Sequence, residues 1–466
     1  MARHQLGDVV ILVPGILGSV LEREGKEIWG LSPGGVLRAL RTLGGSIRDL
    51  ALVGDPQGDP GDGVVATKLM PDVHIIPGLW AIDGYSAIAA MITSTFDVVP
   101  GKTFIEFPYD WRLSNRFTAE RLAAVALTAL HKQRQVNPNA KLILVCHSMG
   151  GLVSRYFLEC LDGAKDTRTL ITFGTPYRGS LNALSFLANG FTKKVGPFKI
   201  MDLSTFVGTL PSVYQLLPIY PCISSDSGAL TRVSETDGLP EGVDKGRALR
   251  AEHEFHRVIE AAVAARGPEA PYFIHPVVGM TQPTLQSALL ANGTLTMLSN
   301  YDGADLDGDG TVPRVSATPI EYDGRKPDPA VYAPESHGSL QNALSVQTQI
   351  LGLLTPVERP ERFRDARGGL RLWLDDLYAL GEEINVTVVA TIRRATLVAT
   401  VADADTRRTI AGPLPLQMAG DGLTHTVQLP PSPEGCYRLT VAAVGEGAAS
   451  IQPVHGLFLV SGDDAD

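Results

Sequence analysis

Leu142-Ile143-Leu144-Val145-Cys146-His147-Ser148-Met149-Gly150-Gly151 decides how the rest of the chain is read. Four apolar residues, with Lys141 in front and a run of small, polar and glycine residues behind, have the composition of a buried parallel strand that breaks into a tight turn. Leu152, Val153, Tyr156, Phe157 and Leu161 then recur at helical spacing, so strand, turn and helix follow one another within about twenty residues. That is the geometry of a nucleophile elbow. A serine at the tip of such a strained turn exposes its hydroxyl above the sheet, and the amide of the next residue can donate to a developing oxyanion. Ser148 is therefore the candidate nucleophile and the Met149 N–H a candidate oxyanion donor. The elbow ordinarily has Gly two residues before and two after the serine; here those positions hold Cys146 and Gly150. An isolated Ser-x-Gly fits an ordinary turn with a capping serine equally well, so its partners must decide.

Two of those partners lie far along the chain. Asp305-Leu306-Asp307-Gly308-Asp309-Gly310-Thr311-Val312-Pro313 and Glu335-Ser336-His337-Gly338-Ser339-Leu340 are polar loops, the second just ahead of a helix that runs to about residue 354. The order Ser148, Asp309, His337 is the chain order of α/β-hydrolases. In that chemistry the histidine takes the serine proton and returns it to the leaving group, while the acid fixes its tautomer. The first loop also matches the start of a calcium loop. Its twelfth position, however, is Ser316 instead of a bidentate Glu, and Pro313 falls at the ninth. Near the N-terminus, Val9-Val10-Ile11-Leu12-Val13 reads as a buried strand, followed by Pro14-Gly15-Ile16-Leu17-Gly18-Ser19. Glycines in such a loop let backbone amides approach a ligand, which makes the Ile16 N–H the second candidate oxyanion donor.

Composition narrows the classes further. The chain has 466 residues, 44% hydrophobic and 19% charged, which suits a globular protein of two or three domains at ~150 residues each. A net charge of −10 with no basic cluster argues against a nucleic-acid partner. The four cysteines, Cys146, Cys160, Cys222 and Cys436, have neither zinc nor redox spacing and are expected to be free thiols, with no metal or cofactor. The N-terminal residues are expected to form a strand and not a signal peptide, and no window approaches ~20 apolar residues, so a spanning helix is not expected. A cytoplasmic location is the default expectation.

The remaining texture sets the architecture. Helical periodicity in residues 85–91 and 118–133 alternates with strands at Thr103-Phe104-Ile105-Glu106-Phe107, at Thr169-Leu170-Ile171-Thr172-Phe173 and in residues 272–279. This predicts a mostly parallel sheet covered on both faces. Two stretches leave that pattern: residues 22–77, with one helix-like patch at Val36-Leu37-Arg38-Ala39-Leu40, and residues 181–271, apolar but interrupted by Gly and Pro and fitting no sheet element. Both are expected to be lid or cap insertions. Beyond about residue 363 short β-type segments separated by turn residues predict a small antiparallel sandwich. The expected domains are thus an α/β-hydrolase module over 1–362 and an all-β domain over 363–462, the latter with a binding or protein-docking role. The last five residues are an acidic run expected to be disordered.

Several stretches together carry a family resemblance: Val13-Pro14-Gly15-Ile16-Leu17-Gly18-Ser19, Pro108-Tyr109-Asp110-Trp111-Arg112, Cys146-His147-Ser148-Met149-Gly150, Gly174-Thr175-Pro176-Tyr177-Arg178-Gly179, Asp307-Gly308-Asp309-Gly310-Thr311-Val312 and Ser336-His337. Across residues 8–355 the chain resembles the lecithin:cholesterol acyltransferase family, which includes the lysosomal phospholipase A2-like enzymes. The Pro-Tyr-Asp-Trp-Arg run is the most specific piece. The resemblance implies Ser148 as nucleophile, Asp309 as acid, His337 as base, and Ile16 and Met149 as oxyanion amides. It also implies glycerophospholipid substrates, whose acyl group passes to water or an acceptor alcohol. Trp29 stands as an apolar lid residue, and Leu17, Tyr109 and Trp111 are grouped with it as substrate or lid residues. The animal enzymes close their lid loop with a disulfide, whereas no cysteine lies between residues 1 and 145 here.

The expected function is a serine acyl-ester hydrolase or acyltransferase acting on lipid esters through an acyl-serine intermediate. Transient membrane-surface contact is expected through the apolar cap. Two alternatives stand beside it: a catalytically silent lipid- or protein-binding module on the same fold, and an esterase or thioesterase for a non-lipid acyl group.

Overall fold

Strands that are buried at every position can only lie in a sheet covered on both faces, because successive side chains point to opposite sides. Val9–Val13 (β1) is such a strand. With Phe104–Glu106 (β2), Leu142–His147 (β3), Thr167–Phe173 (β4), Phe273–Gly279 (β5) and Val331–Ala333 (β6) it forms a six-stranded sheet in the order β2-β1-β3-β4-β5-β6. Every neighbouring pair is parallel. β3, buried throughout, lies at its centre, with Val145 opposite Leu12 on one side and Ile171 on the other. The structure, a computed structural model, describes residues 3–30, 50–71, 74–76, 80–190, 192–195, 198–202, 204–225, 228–267, 269–324, 330–355, 369–445, 448 and 451–462.

The α-helices among the described residues are Ser86–Thr95 (α1), Asn115–Arg134 (α2), Met149–Cys160 (α3), Leu181–Asn189 (α4), Ser204–Val207 (α5), Pro211–Tyr214 (α6), Lys245–Ala251 (α7), Arg257–Arg266 (α8) and Leu344–Leu354 (α9). In α2 the buried residues Thr118, Leu122, Ala126 and Leu130 fall on one stripe, and His131, Lys132 and Arg134 occupy the last turn, where the helix dipole favours cations. α3 is buried from Met149 through Leu158 and packs between α2 and α8. A mostly parallel sheet with connecting helices is the α/β-hydrolase arrangement expected from the sequence. Among the described residues no helix is long and apolar enough to cross a membrane.

The excursions contain more sheet than their sequence suggests. Ser19–Arg23, Lys26–Trp29 and Val64–Leu69 form a three-stranded antiparallel sheet; the helix-like patch at 36–40 lies outside the described residues. Residues 181–271, expected to hold no sheet element, contain the hairpin Thr192–Val195 with Phe198–Asp202. They also contain the short strands Ile223–Ser224 and Leu230–Thr231, which join Ser287–Ala291 and Thr294–Leu298. Strands of two residues are too short to show the period-2 alternation by which a strand is read.

The C-terminal part is all β as expected, but not wholly antiparallel, because Leu377–Ala379 pairs in parallel with Val454–Ser461. Leu370–Trp373 (β7), Leu377–Ala379 (β8), Ile384–Ala390 (β9), Thr396–Asp403 (β10), Thr409–Pro415 (β11), Gln417–Met418 (β12), Thr424–Leu429 (β13), Gly435–Val444 (β14) and Val454–Ser461 (β15) form sheets of order β7-β9-β13-β12 and β8-β15-β14-β10-β11. Val388, Leu439, Val441 and Phe458 pack in a core of their own. Ala404, Cys436, Leu457 and Leu459 instead join the core of the hydrolase part, so the two parts share an apolar interface. The expected boundary at 362/363 and the acidic end at 463–466 lie outside the described residues.

Candidate active site

β3 ends at His147, and the next residue turns the chain sharply into α3. Ser148 has φ 51° and ψ −125°, a region that costs a non-glycine residue about 1–3 kcal/mol and persists only where surrounding bonds enforce it. Here the Ser148 N–H donates to Phe173 O at 2.8 Å, while Ser148 O accepts from the Gly151 N–H at 3.0 Å and from Thr175 Oγ1 at 2.9 Å. Gly150 shows why the turn needs glycine after the serine: a Cβ there stands 2.4 Å from Pro14 O and 2.7 Å from Val13 O. Cys146 takes the position usually held by glycine. Its thiol lies 3.1 Å from Ser154 Oγ, and burial pushes it up to about 12, so it is an inert packing group.

The loops bearing Asp309 and His337 converge on the serine. His337 Nε2 lies 3.0 Å from Ser148 Oγ, and His337 Nδ1 lies 2.7 Å from Asp309 Oδ2. With Nδ1 donating to the carboxylate, Nε2 is the acceptor presented to the hydroxyl. Asp309 Oδ1 accepts from the Thr311 and Val312 amides at 2.9 and 2.7 Å, which fixes the carboxylate plane. The His337 N–H donates to Asp309 O at 2.8 Å and locks the two loops together. All three side chains are buried, Ser148 at 2% exposure, Asp309 at 2% and His337 at 4%. Gly174, at φ 54°, gives this group its room, since a Cβ there stands 2.8 Å from both Asp309 Oδ2 and His337 Nδ1.

The carboxylates of the calcium-like run do not converge on one point, although Arg371 lies near both Asp305 and Asp307. Asp305 bonds Gln286 and Arg371, Asp307 accepts from the Thr281 N–H, and Asp309 faces His337. Among the described residues no group of three His, Cys, Asp or Glu side chains is placed to hold a metal ion.

On the other side of Ser148, the Gly18 N–H donates to Gly15 O at 3.2 Å and closes a turn around Ile16 and Leu17. That turn bond does not use the Ile16 amide. Met149 is the first residue of α3, so its N–H has no intrahelical acceptor. Both expected oxyanion residues therefore border the serine with amides that the turn and the helix leave unused. Leu17 faces the same space as Ser148.

The other three expected lid or substrate residues stand behind the loop and do not line that space. Trp29 Nε1 donates to Leu17 O at 3.1 Å, and its ring meets Trp111 edge-on with centroids 5.0 Å apart. Tyr109 OH donates to Pro14 O at 2.9 Å, and Trp111 Nε1 to Ser19 O at 3.2 Å. These aromatic side chains clamp the Pro14–Ser19 backbone. Their apolar bulk resembles that of lid residues, but each polar tip finds a buried carbonyl, which holds the ring inside the fold. Arg112, fully buried, forks onto Asp110 at 2.7 and 2.9 Å and reaches Asp62 at 2.9 Å. Burial works against its charge, but the two carboxylates outweigh it and hold its pKa above the usual value. The Pro108–Arg112 run is thus a brace between the sheet and residues 50–62.

Tyr85 and His147 were not singled out by the sequence reading, because one lies at a helix N-cap and the other inside the elbow motif. The Gly15 N–H donates to Tyr85 OH at 2.7 Å, Tyr85 OH stands 2.9 Å from His147 Nδ1, and His147 Nε2 stands 3.0 Å from His337 O. A carbonyl only accepts, so Nε2 carries the proton and Nδ1 accepts from the tyrosine. Burial, and after it the neighbouring His337, depresses His147 to about 3, consistent with a neutral ring. This directed chain ties the Pro-Gly loop to the backbone of the His337 loop beneath the serine.

Ser148, Ile16 and Leu17 open into a pocket of about 600 Å³ whose far wall comes from the 181–271 insertion: Ala183, Phe186, Phe206, Val207, Leu210 and Leu216. Its lining is apolar apart from a few polar side chains such as Ser180, Asn182 and Thr311. Residues of the 181–271 insertion thus share one pocket with the serine.

A model of the lecithin:cholesterol acyltransferase family matches residues 81–238. The matched segment holds the Pro108–Arg112 run and Ser148; Asp309 and His337 lie beyond it. Lysosomal phospholipase A and acyltransferase of Homo sapiens is 30% identical over 101 residues, covering 20% of this chain and 24% of that protein. The match thus spans about a quarter of the human relative's length. Among solved structures, lipase BlEst2 of Bacillus licheniformis in mature form is 13% identical, with 75% of this chain and 92% of that one covered at a TM-score of 0.34. The gene lin2722 product of Listeria innocua is 13% identical, with 76% and 96% covered at a TM-score of 0.28. Likenesses this distant carry no argument about function.

Proposed function

From the match of residues 81–238 to a model of the lecithin:cholesterol acyltransferase family, we propose that this chain is a serine-dependent acyl-ester hydrolase or acyltransferase acting on lipid esters, with Ser148, His337 and Asp309 as its triad. The observation that carries this reading is the continuous bond chain Ser148 Oγ–His337 Nε2 and His337 Nδ1–Asp309, set at a strained elbow that opens into an apolar pocket.

The chemistry follows from that geometry. His337 Nε2 takes the hydroxyl proton as Ser148 Oγ attacks the ester carbonyl. The carbonyl oxygen becomes an oxyanion facing the Ile16 and Met149 amides, and Asp309 stabilises the imidazolium. Collapse of the tetrahedral species breaks the ester C–O bond, and His337 delivers its proton to the departing alcohol. Water or a second alcohol then gives up a proton to His337, attacks the acyl-serine and restores the enzyme. The apolar pocket would hold the acyl chain, and the cap that forms it is the surface through which we expect transient contact with a lipid interface.

In the purified protein, Ser148→Ala should lower release of fatty acid from phospholipid or a chromogenic ester by several orders of magnitude, as loss of a triad nucleophile does. A fluorophosphonate should label the wild type and not the variant. Equal activity in the two proteins, or a wild type that stays unlabelled, would favour the silent binding module instead. A preference for long over short acyl groups separates a lipid enzyme from an esterase for small acyl substrates.

A further inference from the structure

We infer that the C-terminal β domain is part of the catalytic scaffold, holding the acid and base loops in register, with Arg371, Arg438 and His455 as positioning residues. This rests on the triad reading above, and it replaces an independent docking role for the domain with one inside the enzyme.

Three separate contacts carry it, one on each flank of the His337 loop and one on the Asp309 loop. Glu335, two residues before His337 and buried, is met by β15: His455 Nδ1 lies 2.7 Å from Glu335 Oε2, and the His455 N–H donates to Oε1 at 3.3 Å. Ser336 Oγ donates to His455 O at 3.1 Å. On the other flank, Gly338 O accepts from the Asp83 N–H at 2.9 Å. The Asp83 carboxylate is almost fully buried, and Arg438 of β14 pairs with it, Nη1 donating to Oδ2 at 2.6 Å. A carboxylate buried this far from water is tolerated where a cation meets it. The backbone of His337 itself is thus pinned between Ser336 and Gly338 through two groups supplied by the sandwich.

The acid loop is held in the same way. The Gln282 N–H donates to Gly308 O at 3.0 Å, and Gln282 bridges Asp309 in a short parallel pairing. The Gln282 side chain then bonds β7 twice, Nε2 donating to Leu370 O at 3.1 Å and Oε1 accepting from the Leu372 N–H at 3.4 Å. Arg371 reaches Asp305 at 3.1 Å and Thr281 O at 2.9 Å. A domain attached only for docking has no need to bond the residues on either side of both triad loops. Misplacing a reacting group by about 1 Å, even through a remote change, can cost about 10²-fold in rate.

The test uses the full-length protein and two readouts: the rate at which a fluorophosphonate labels Ser148, and kcat and KM on a chromogenic acyl ester. His455→Ala and Arg438→Met should each lower the labelling rate and kcat by roughly ten- to a hundredfold with KM changed less than about twofold. Arg438→Lys and His455→Asn, whose amide nitrogen can stand in for Nδ1, should recover most of the loss. Ile410→Ala, on the outer edge strand β11, should behave as wild type. Because His455 is partly exposed, its variants remain folded even if Arg438→Met does not. Wild-type labelling and kcat in folded His455→Ala overturn the inference. So does a loss that Asn fails to recover and that follows a lowered melting temperature. An unlabelled wild type instead overturns the triad reading itself.

Discussion

Tyr85 and His147 touch no substrate space, yet they join the two halves of the candidate site. Replacing Tyr85 by Phe removes one oxygen and leaves the Gly15 N–H and His147 Nδ1 without the partner each now has. A buried group left unpaired costs about 1–3 kcal/mol. That cost falls on stability; on rate, we expect Tyr85→Phe to lower kcat by up to about a hundredfold, because the Pro-Gly loop loses its tie to the His337 loop and reacting groups shift, while KM on a chromogenic ester stays nearly constant. A raised KM at constant kcat would point to a role in ground-state binding instead. The histidine makes a prediction about pH. Burial, then the nearby His337, lowers His147 from the ordinary 6.5 to about 3, and burial lowers His256 to about 4. Between those values the unfolded chain binds protons that the folded chain refuses. Stability from the neutral rings is therefore complete above pH 6.5 and is lost as pH falls toward 3 to 4. Urea unfolding followed from pH 7.5 downward should show this loss, and His147→Gln, which keeps a donor for His337 O, should flatten the slope. An unchanged slope in that variant would remove His147 from the account.

At the scale of elements, the pocket wall is made by α4, α5, α6 and the turn between the last two. Each methylene buried there contributes ~0.8 kcal/mol, about fourfold in binding, so kcat/KM should climb with acyl length until the pocket is filled. Leu210→Trp, which places a large ring in that turn, should move the optimum to shorter chains; a series that peaks at acetate in the wild type would contradict the assignment. The same elements show where the sequence is readable. The strand Leu142–His147, the helix after it and the loops of Asp309 and His337 were legible because their chemistry is local: an apolar run, a turn glycine, a polar loop before a helix. The short strands Ile223–Ser224 and Leu230–Thr231 were not, since the first exists through pairing with residues some sixty positions away and the second pairs only with the first. In β11, Pro413 and Pro415 argue against a strand; an edge position tolerates them. Trp29, Tyr109 and Trp111 read as lid residues because nothing in the sequence says which carbonyl an indole or phenol will find. The Asp83–Arg438 and Glu335–His455 pairs, separated by 355 and 120 positions, carry no local signal at all.

The whole molecule should unfold as one unit. Ala404, Cys436, Leu457 and Leu459 of the sandwich belong to the core built on the hydrolase sheet, and the Arg438–Asp83 ion pair and the His455–Glu335 hydrogen bond cross the same boundary. Differential scanning calorimetry of the full chain should show a single transition, and two well-separated transitions would mean that the shared core contributes little to cohesion. The contacts of Arg438 and His455 with the loop around His337 also set an order in time. A ribosome delivers Ser148 first, Asp309 and His337 later, and these two anchors more than 100 residues after the histidine has emerged (438 − 337 = 101). The nascent chain therefore carries its whole proposed triad for several seconds of synthesis, at about 5–20 residues per second, before the residues inferred to fix its base arrive. On the scaffold role inferred above, a chain interrupted in that interval holds every proposed reacting group yet should react roughly ten- to a hundredfold more slowly than one to which Arg438 and His455 have been added.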